Sequence, residues 1–572
     1  MTLIAKARRV PLRYWCYYLP LIAAAAALVA YLEDAPLPWE KGVAAREAAG
    51  LAVKSAHHMI SGLWYGAFAA LAVLTVLAAT GPLALRRFTP DFRRSDAGLG
   101  RRSASVFLVF AVAAVTFAAF RAAPRLDNSL WGDEDYTVRR AIVGQWERNS
   151  EGELWFRKAT WTDTLFYYKN PNNHVLFSIF ARLSHSGYDA GDDPTKLHFD
   201  ETLVRLPAFL FGLGSIVALG YLLAVIGYKR AGLAAMLLLA LHPWFLRHAP
   251  EARGYPLVLF FGPLALAFLI KAVRRGRGIY WVMFALAQAM AFYAYPGAVY
   301  LLAGFNLAAL FYILRARYET LWRDRITLLA RWFNANTLAA LPIVFLMMPN
   351  IPQLRAYLAR ERAQGELDAS WLLDNLSFLS TGIPWSQPEP ENPLRLALST
   401  TPALSLMLLL IFVGIVALGI YRLVRAGRGW VAAALLLPYL LMLTHSLVSG
   451  VILYQWYAVT SLPLIVAATA LGLEYWPSKI RAVRSRTLAG FAALAAFLAV
   501  FGTATASQIK ILRQNSVEPL RESVALTRET LNPTHPGSAD ALTVGFCMGT
   551  PGYDPTAYFL KPEAKDPDAP LT

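Results

Sequence analysis

Long runs of apolar residues dominate the chain, and short polar segments separate them. A helix needs about 20 residues to cross the ~30 Å hydrocarbon layer of a membrane. Thirteen apolar runs approach that length, so the pattern predicts thirteen membrane-spanning helices. They are placed near residues 14–32, 60–85, 104–120, 203–227, 231–247, 255–270, 279–295, 297–314, 333–350, 402–421, 430–448, 457–475 and 487–505.

The composition supports the same fold class. Of 572 residues, 57% are hydrophobic and only 16% are charged, and the mean hydropathy is +0.42. Soluble domains carry about 25% charged residues, so this chain lacks the polar surface to coat several soluble cores. The numbers argue against a soluble enzyme, a coiled coil and a disordered chain. We predict an all-α polytopic membrane protein.

The net charge of +17 would suggest a nucleic-acid partner in a soluble protein, but its placement indicates orientation instead. Seven alternate connections hold 28 of the 54 Lys and Arg residues and only four acidic residues. By the positive-inside rule these connections are cytoplasmic, which places the N-terminus inside and the C-terminus outside. The cysteines, Cys16 and Cys547, fall on opposite sides and do not predict a disulfide.

The spans and connections divide the chain into three units. Two additional N-terminal helices with a basic loop precede a transmembrane core, whose outer segments include a lid-like connection rich in tryptophan and proline. A small outer α/β domain follows, where an alternating run predicts a strand. These units are 1–103, 104–506 with outer segments 121–202 and 351–401, and 507–572.

Three consecutive carboxylates, Asp133, Glu134 and Asp135, follow the third span. Neighbouring carboxylates repel one another, which raises the pKa of such groups and suits one of them to act as a general base towards an alcohol. The alternative is an acidic N-terminus for a helix over 135–148, which the helix dipole stabilises. The motif alone leaves both interpretations open.

Two further polar segments lie at the outer ends of spans. Lys169 and His174 lie in an amide-rich segment just before an apolar helix, which suits either an anion site or an interfacial anchor. The turn between the fifth and sixth spans carries Glu251 and Arg253. Ionisable groups at a span boundary are costly unless they are paired or used, so these two either pair with each other or act in a site.

Taken together and in this order, the segments resemble the GT-C glycosyltransferases. The likeness is greatest to glycosyltransferase family 39 and its relatives, which include protein O-mannosyltransferases and the aminoarabinose transferase that acts on lipid A. It extends over roughly 105–570. The motifs that carry it are Leu-Trp-Gly-Asp133-Glu134, the helix-opening segment Lys169 to Leu176, Arg205-Leu-Pro207, Glu251-Ala-Arg253-Gly-Tyr255 and Tyr454-Gln-Trp-Tyr457.

The resemblance implies a GT-C fold and an inverting transfer of a sugar from a polyprenyl-phosphate donor. The acceptor would be a hydroxyl of an envelope lipid, glycan or protein on the periplasmic face of a bacterial inner membrane. A divalent cation between the base and the donor phosphate stays open. The implied roles are Asp133 as the base, Glu134 as a group that orients the sugar or the base, Glu251 as a second acid, and Lys169, Arg253, His174 and Tyr457 as donor-phosphate ligands.

The sequence also departs from the family pattern. Tyr136 stands where the lipid A enzymes usually have a basic residue, and Asn172-Asn173-His174 replaces a proline and apolar residues. Gln455-Trp456 replaces an arginine often found before the late tyrosine. These departures leave the sugar, the acceptor and the full set of phosphate ligands open, while Asp133 and Lys169 are retained.

Two other function classes fit a polytopic chain. A transporter or lipid flippase usually has ionisable residues at mid-membrane and repeated halves, and the sequence shows neither pattern. A metal-dependent transferase or hydrolase would use His174, His248 and the carboxylates at Asp133, but the sequence has no His-x-x-x-His or comparable ligand spacing. Both are weaker alternatives to the glycosyltransferase.

Overall fold

The protein is described by a computed structural model that covers residues 11–86, 101–148, 154–186, 200–315, 322–360, 365, 367–382 and 400–501. The predicted α/β domain at 507–572 and its strand lie outside these residues. The helices are α1 (Leu12–Asp34), α2 (Pro38–Lys41), α3 (Val43–Ala48), α4 (Ser55–Ala84), α5 (Arg101–Ala122), α6 (Gly132–Thr137), α7 (Trp161–Phe166), α8 (Val175–His185), α9 (Glu201–Ile226), α10 (Lys229–Leu241), α11 (Pro243–His248), α12 (Tyr255–Arg275), α13 (Gly278–Ala294), α14 (Val299–Arg315), α15 (Trp322–Met347), α16 (Ile351–Leu358), α17 (Ala369–Thr381), α18 (Pro402–Arg425), α19 (Gly429–Ser449), α20 (Leu462–Leu473) and α21 (Val483–Phe501).

Each of the thirteen predicted spans falls on a helix. In the described part of the chain, eleven helical segments are long and apolar enough to cross a membrane. The other two are helical but shorter, because α10 has 13 residues and α13 has 17. The predicted run at 231–247 is divided, since His242 is extended and Pro243 begins the separate helix α11. The chain is an all-α polytopic membrane protein, as predicted.

One local prediction is wrong. The helix expected over 135–148 ends at Ile142, after a turn of π-helix, and β1 (Gly144–Arg148) follows it. Gly144 leaves the helical region with φ of +136°, and β1 pairs antiparallel with β2 (Leu154–Lys158). The pairing of β1 with β2 gives the backbone groups beyond the helix hydrogen-bond partners, which the end of an isolated helix would lack.

The N-terminal helix pair packs on the core mainly through α4, which lies along α15. The hydroxyl of Tyr17 donates to the carbonyl of Leu77 at 2.8 Å, and the amide of Asn334 donates to the hydroxyl of Thr80 at 3.0 Å. The first of these bonds joins the two additional helices to each other, and the second joins them to the core.

Arg331 marks one face of the helical core. Its guanidinium donates to the carbonyls of Ala84, Arg86 and Gly276, which lie at the ends of α4 and α12. Since α12 begins at Tyr255, the turn with Glu251 and Arg253 lies at the opposite end of the same helix. The basic ends and the candidate site residues thus occupy opposite faces.

Small residues allow α18 and α20 to approach closely. A Cβ added to Gly419 would lie 2.0 Å from the carbonyl oxygen of Ala468, and one added to Gly472 would lie 2.0 Å from that of Ile415. Membrane helices have little hydrophobic drive to associate with one another, so close backbone packing of this kind holds them together.

We expect Gly419→Ala to destabilise the protein by roughly 1–3 kcal/mol, because the added methyl group forces α18 away from α20. Gly414→Ala is a matched control in the same helix, since a Cβ there meets nothing within 4 Å. Thermal unfolding of the detergent-purified protein measures both. Equal melting temperatures for the two variants would contradict this packing.

Candidate active site

The candidate site forms where three outer segments meet: 131–137, 172–174 and 251–254. The backbone N–H of Ala252 donates to a carboxylate oxygen of Glu134 at 2.6 Å. Thr137 donates to the carbonyl of Asn172 at 3.0 Å, which joins the first segment to the second. The three polar motifs found in the sequence therefore belong to one site.

Each of the three consecutive carboxylates faces a different arginine. This arrangement offsets the repulsion that the sequence predicts, because three separate cations stabilise three charged groups. The pairs are Asp133 with Arg253 (3.6 Å), Glu134 with Arg205 (3.0 Å) and Asp135 with Arg139 (2.7 Å).

Glu134 is a buried, fully engaged carboxylate. Its oxygens accept hydrogen bonds from Arg205, from the N–H of Ala252 and from the N–H of Trp131. Arg205 also donates to backbone carbonyls of the preceding loop, among them that of Ser129 at 3.0 Å. Glu134 therefore positions the loop that carries Asp133, which favours orientation of the base over orientation of the sugar.

Asp133 is the accessible member of the trio. Its side chain is 33% exposed, whereas that of Glu134 is 1% exposed. Its carboxylate accepts from the amide of Asn172 at 3.3 Å, and its carbonyl accepts from Arg253 at 3.1 Å. Asp133 is thus held in place while its carboxylate stays open to a substrate.

Arg253 is a buried cation beside Asp133. Its guanidinium donates to Thr137 at 3.2 Å and to the carbonyl of Asn172 at 3.0 Å. Burial alone would lower the pKa of Arg253, but the negative charges of Asp133 and Glu251 outweigh burial and raise it. The group stays fully charged next to the accessible carboxylate.

His174 lies beside this arginine as a buried, neutral ring. Its Nδ1 accepts from the N–H of Gly254 at 2.6 Å, and its Nε2 lies 3.3 Å from Arg253. Burial, and secondarily the charge of Arg253, hold the pKa of His174 well below its usual value. A neutral histidine avoids placing a second cation against the guanidinium.

The carboxylate of Glu251 contacts His248, three residues earlier. The geometry therefore favours this partner over an ion pair with Arg253. Burial would raise the pKa of Glu251, but its interaction with His248 and the charges of Arg247 and Arg253 outweigh burial and hold that pKa below its usual value. Glu251 is thus an ionised carboxylate one residue from the Glu134 contact.

Tyr457 lies at the edge of the site, whereas the structure records no contact between Lys169 and the site among the described residues. The ring of Tyr457 packs 5.9 Å from that of Tyr295, and it lies close enough to Arg253 and Asp133 to interact electrostatically. Lys169 is exposed, three residues before Asn172, and makes no ion pair with the described residues. Its predicted contact with a phosphate stays a prediction.

Arg205 was missed as a site residue by sequence reasoning. It lies in the first turns of the apolar helix α9, where a charge is costly unless it is paired. That position was the available signal, but it does not identify Glu134 as the partner. Asn172 was noted only as a departure from the family pattern, although it contacts both Asp133 and Arg253.

No three His, Cys, Asp or Glu side chains come together as a metal site in the part of the chain that the structure describes. The interpretation that combined His174, His248 and Asp133 as metal ligands therefore has no support from their placement. His174 and His248 instead have protein partners, in Gly254 and Glu251.

Residues 195–344 match the family model described as dolichyl-phosphate-mannose-protein mannosyltransferase. The family resemblance predicted from the sequence is confirmed over these residues, about a quarter of the chain. The matched region runs from just before α9 into α15 and contains Arg205, Glu251 and Arg253. It leaves Asp133 and Lys169 outside. No curated protein sequence matches the chain.

Two solved membrane enzymes are similar in structure at low sequence identity. The archaeal oligosaccharyltransferase AglB from Archaeoglobus fulgidus, in complex with an inhibitory peptide and a dolichol-phosphate, is 14% identical, with a TM-score of 0.43 over 83% of this chain and 62% of that one. The chain thus spans less than two thirds of the length of AglB. ArnT from Cupriavidus metallidurans, bound to undecaprenyl phosphate, is 13% identical, with a TM-score of 0.40 over 76% of this chain and 81% of that one.

The neutral state of His174 predicts a pH dependence. The unfolded chain protonates this histidine below about pH 6.5, whereas the folded protein does not, so stability falls as the pH decreases below that value. In His174→Gln the slope of unfolding free energy against pH, measured by chemical denaturation between about pH 5 and 6.5, should be shallower by up to one proton, about 1.4 kcal/mol per pH unit. An unchanged slope would show that His174 has the same pKa in the folded and the unfolded protein.

Proposed function

We propose that the chain is a membrane glycosyltransferase that moves a sugar from a polyprenyl-phosphate donor to a hydroxyl of an envelope acceptor. The observation that carries this proposal is the pairing of an accessible carboxylate, Asp133, with a buried, permanently charged arginine, Arg253. The family match supports the donor class, since the family description names dolichyl-phosphate-mannose, a sugar on a polyprenyl phosphate.

The donor end of the reaction needs positive charge. When the bond between the sugar and the phosphate breaks, the phosphate leaves with the electron pair and gains negative charge. Arg253 is fixed by three accepting groups, the carbonyls of Asp133 and Asn172 and the hydroxyl of Thr137, before any substrate arrives, and such preorganised charge stabilises a transition state without reorganisation. Lys169 is exposed three residues before Asn172, and in this proposal it adds a second cation to the donor phosphate.

The acceptor end needs a base. A neutral hydroxyl is a weak nucleophile, and Asp133 would take its proton as the oxygen attacks the anomeric carbon. Attack from the side opposite the departing phosphate inverts the configuration of the sugar. One carboxylate and one leaving-group cation are sufficient for this single displacement.

Glu134 and Glu251 act through other groups in this proposal. Glu134 joins the loop of Asp133 to Arg205 and to the turn of Arg253, so it fixes the base relative to the cation. Such orientation contributes several kcal/mol to a displacement reaction. Glu251 adds negative charge beside Arg253, which, with that of Asp133, stabilises the buried guanidinium.

The site lies on the outer, periplasmic face of a bacterial inner membrane in this proposal. The candidate site and the basic helix ends occupy opposite faces, and basic ends favour the cytoplasm. The N-terminus would then be cytoplasmic and the C-terminus periplasmic. A polyprenyl-linked sugar would enter from the outer leaflet.

We expect Asp133→Asn to abolish sugar transfer, because the amide cannot accept the proton of the hydroxyl. Asp368→Asn is the matched control: Asp368 caps α17 on the same face, and asparagine is also a good N-cap. Transfer from a polyprenyl-phosphate sugar to envelope acceptors, followed by mass spectrometry, measures both variants. Normal turnover by folded Asp133→Asn would remove Asp133 as the base.

Lys169→Ala should raise the KM for the donor about tenfold or more while leaving the melting temperature unchanged, because an exposed lysine contributes charge and not packing. Lys169→Arg should restore most of the affinity. A donor KM equal to that of the unaltered protein would exclude Lys169 from phosphate binding.

Cysteine labelling tests the orientation. In a background with Cys16→Ser and Cys547→Ser, Arg355→Cys should react with a membrane-impermeant maleimide in intact cells, and Arg425→Cys only after permeabilisation. Both arginines are exposed, one near each face. The reverse labelling pattern would overturn the topology.

A further inference from the structure

The second of the two additional N-terminal helices, α4, contacts the segment that leads to the candidate site. It begins at Ser55 on the face of that site, because its other end, near Ala84, meets Arg331 at the opposite face. The buried hydroxyl of Ser55 donates to a carboxylate oxygen of Asp163 in α7 at 2.9 Å. This bond joins residues 108 positions apart, one in an additional helix and one in the outer segment of the core.

Asp163 carries this contact into α7. Its other carboxylate oxygen accepts from the backbone N–H of Thr160 at 3.1 Å and from the hydroxyl of the same residue at 2.9 Å, which caps the helix. One carboxylate therefore both caps α7 and receives the hydroxyl of Ser55. The start of α7 is thereby fixed relative to the start of α4.

A second contact from α4 supports the other end of α7. A Cβ added to Gly62 would overlap the backbone of Pro349, so α4 lies directly against the turn between α15 and α16. Just beyond that turn, Gln353 donates to the carbonyl of Phe166 at 2.8 Å and accepts from the N–H of Tyr168 at 2.9 Å. The same N-terminal helix therefore supports both ends of α7.

A buried asparagine joins α7 to the candidate site. The amide of Asn173 donates to the carbonyls of Thr164 at 3.0 Å and Tyr167 at 3.1 Å, and this side chain belongs to a residue that is only 2% exposed. Its neighbour Asn172 donates to the carboxylate of Asp133 at 3.3 Å. The position of α7 therefore determines where Asn172 meets Asp133.

We propose that Ser55 and Asp163 are positioning residues of the active site. Through them the N-terminal helices hold residues 161–174, and with this segment Asn172 and the base Asp133, in the geometry that the reaction needs. The inference rests on the proposed transferase function and assigns the two additional helices a part in it. Misplacing a reacting group by about 1 Å can cost a hundredfold in rate, so a support outside the site can limit turnover.

A second serine of the same helix provides a matched control. The hydroxyl of Ser61 accepts from the N–H of Val43 at 3.0 Å, a bond that stays within the N-terminal segment. Ser55→Ala and Ser61→Ala each remove one hydroxyl and its hydrogen bond from α4. Only the bond of Ser55 leads to α7, so a general loss of stability would affect both variants, whereas loss of positioning would affect Ser55→Ala alone.

Hydrogen–deuterium exchange tests the link without requiring transfer. The full-length protein and both variants are compared in phosphatidylcholine nanodiscs, and mass spectrometry follows the backbone amides of residues 161–174. We expect exchange in this segment to be about tenfold faster in Ser55→Ala, because a hydrogen bond to a carboxylate is lost and the segment opens more readily. Ser61→Ala should leave the exchange of this segment unchanged.

Steady-state kinetics tests the consequence for the reaction. Ser55→Ala should lower kcat about tenfold and leave the donor KM unchanged, because the hydroxyl of Thr137 and the carbonyl of Asp133 still hold Arg253. Ser55→Thr keeps a hydroxyl and should restore most of kcat. Ser61→Ala should match the unaltered protein in both constants.

Three results would overturn the proposal: unchanged exchange over 161–174 in Ser55→Ala, an unchanged kcat in that variant, or equal losses in Ser55→Ala and Ser61→Ala. The last would mean that α4 acts through overall stability. Absence of transfer by the unaltered protein would instead contradict the proposed function. The exchange measurement would then still decide whether the N-terminal helices hold the segment of Asn172.

Discussion

The buried ion pair between Glu134 and Arg205 is the interaction on which the candidate site depends. Arg205 comes from the start of α9, 71 residues after Glu134. The Ala252 N–H that also binds Glu134 lies 118 residues after Glu134. One carboxylate thus joins three segments that are distant in sequence. Removing one partner of such a buried pair typically costs about 3–5 kcal/mol, because the other charge is left uncompensated.

The buried pair differs in exposure from the neighbouring ion pair. Arg253 faces the accessible carboxylate of Asp133, whereas Glu134 is buried against Arg205. The first pair is open to a substrate, and the second holds the loop and the turn in place.

The helices could be predicted from the sequence because apolar run length is a local property. The strand at Gly144–Arg148 could not, since its hydrogen bonds depend on a partner strand ten residues away. The site residues were identified by type, but their pairing was not. Sequence distance suggested that Glu251 pairs with Arg253, whereas packing places His248 against Glu251 and selects the distant Arg205 for Glu134.

The central claim is that Arg253 and Asp133 form the centre at which a polyprenyl phosphate reacts. An experimental structure of the full chain with undecaprenyl phosphate tests it most directly. The account predicts phosphate oxygens within hydrogen-bond distance of Arg253, on the side that faces the Asp133 carboxylate. Phosphate bound away from Arg253, for example at the opposite face near Arg331, would contradict it.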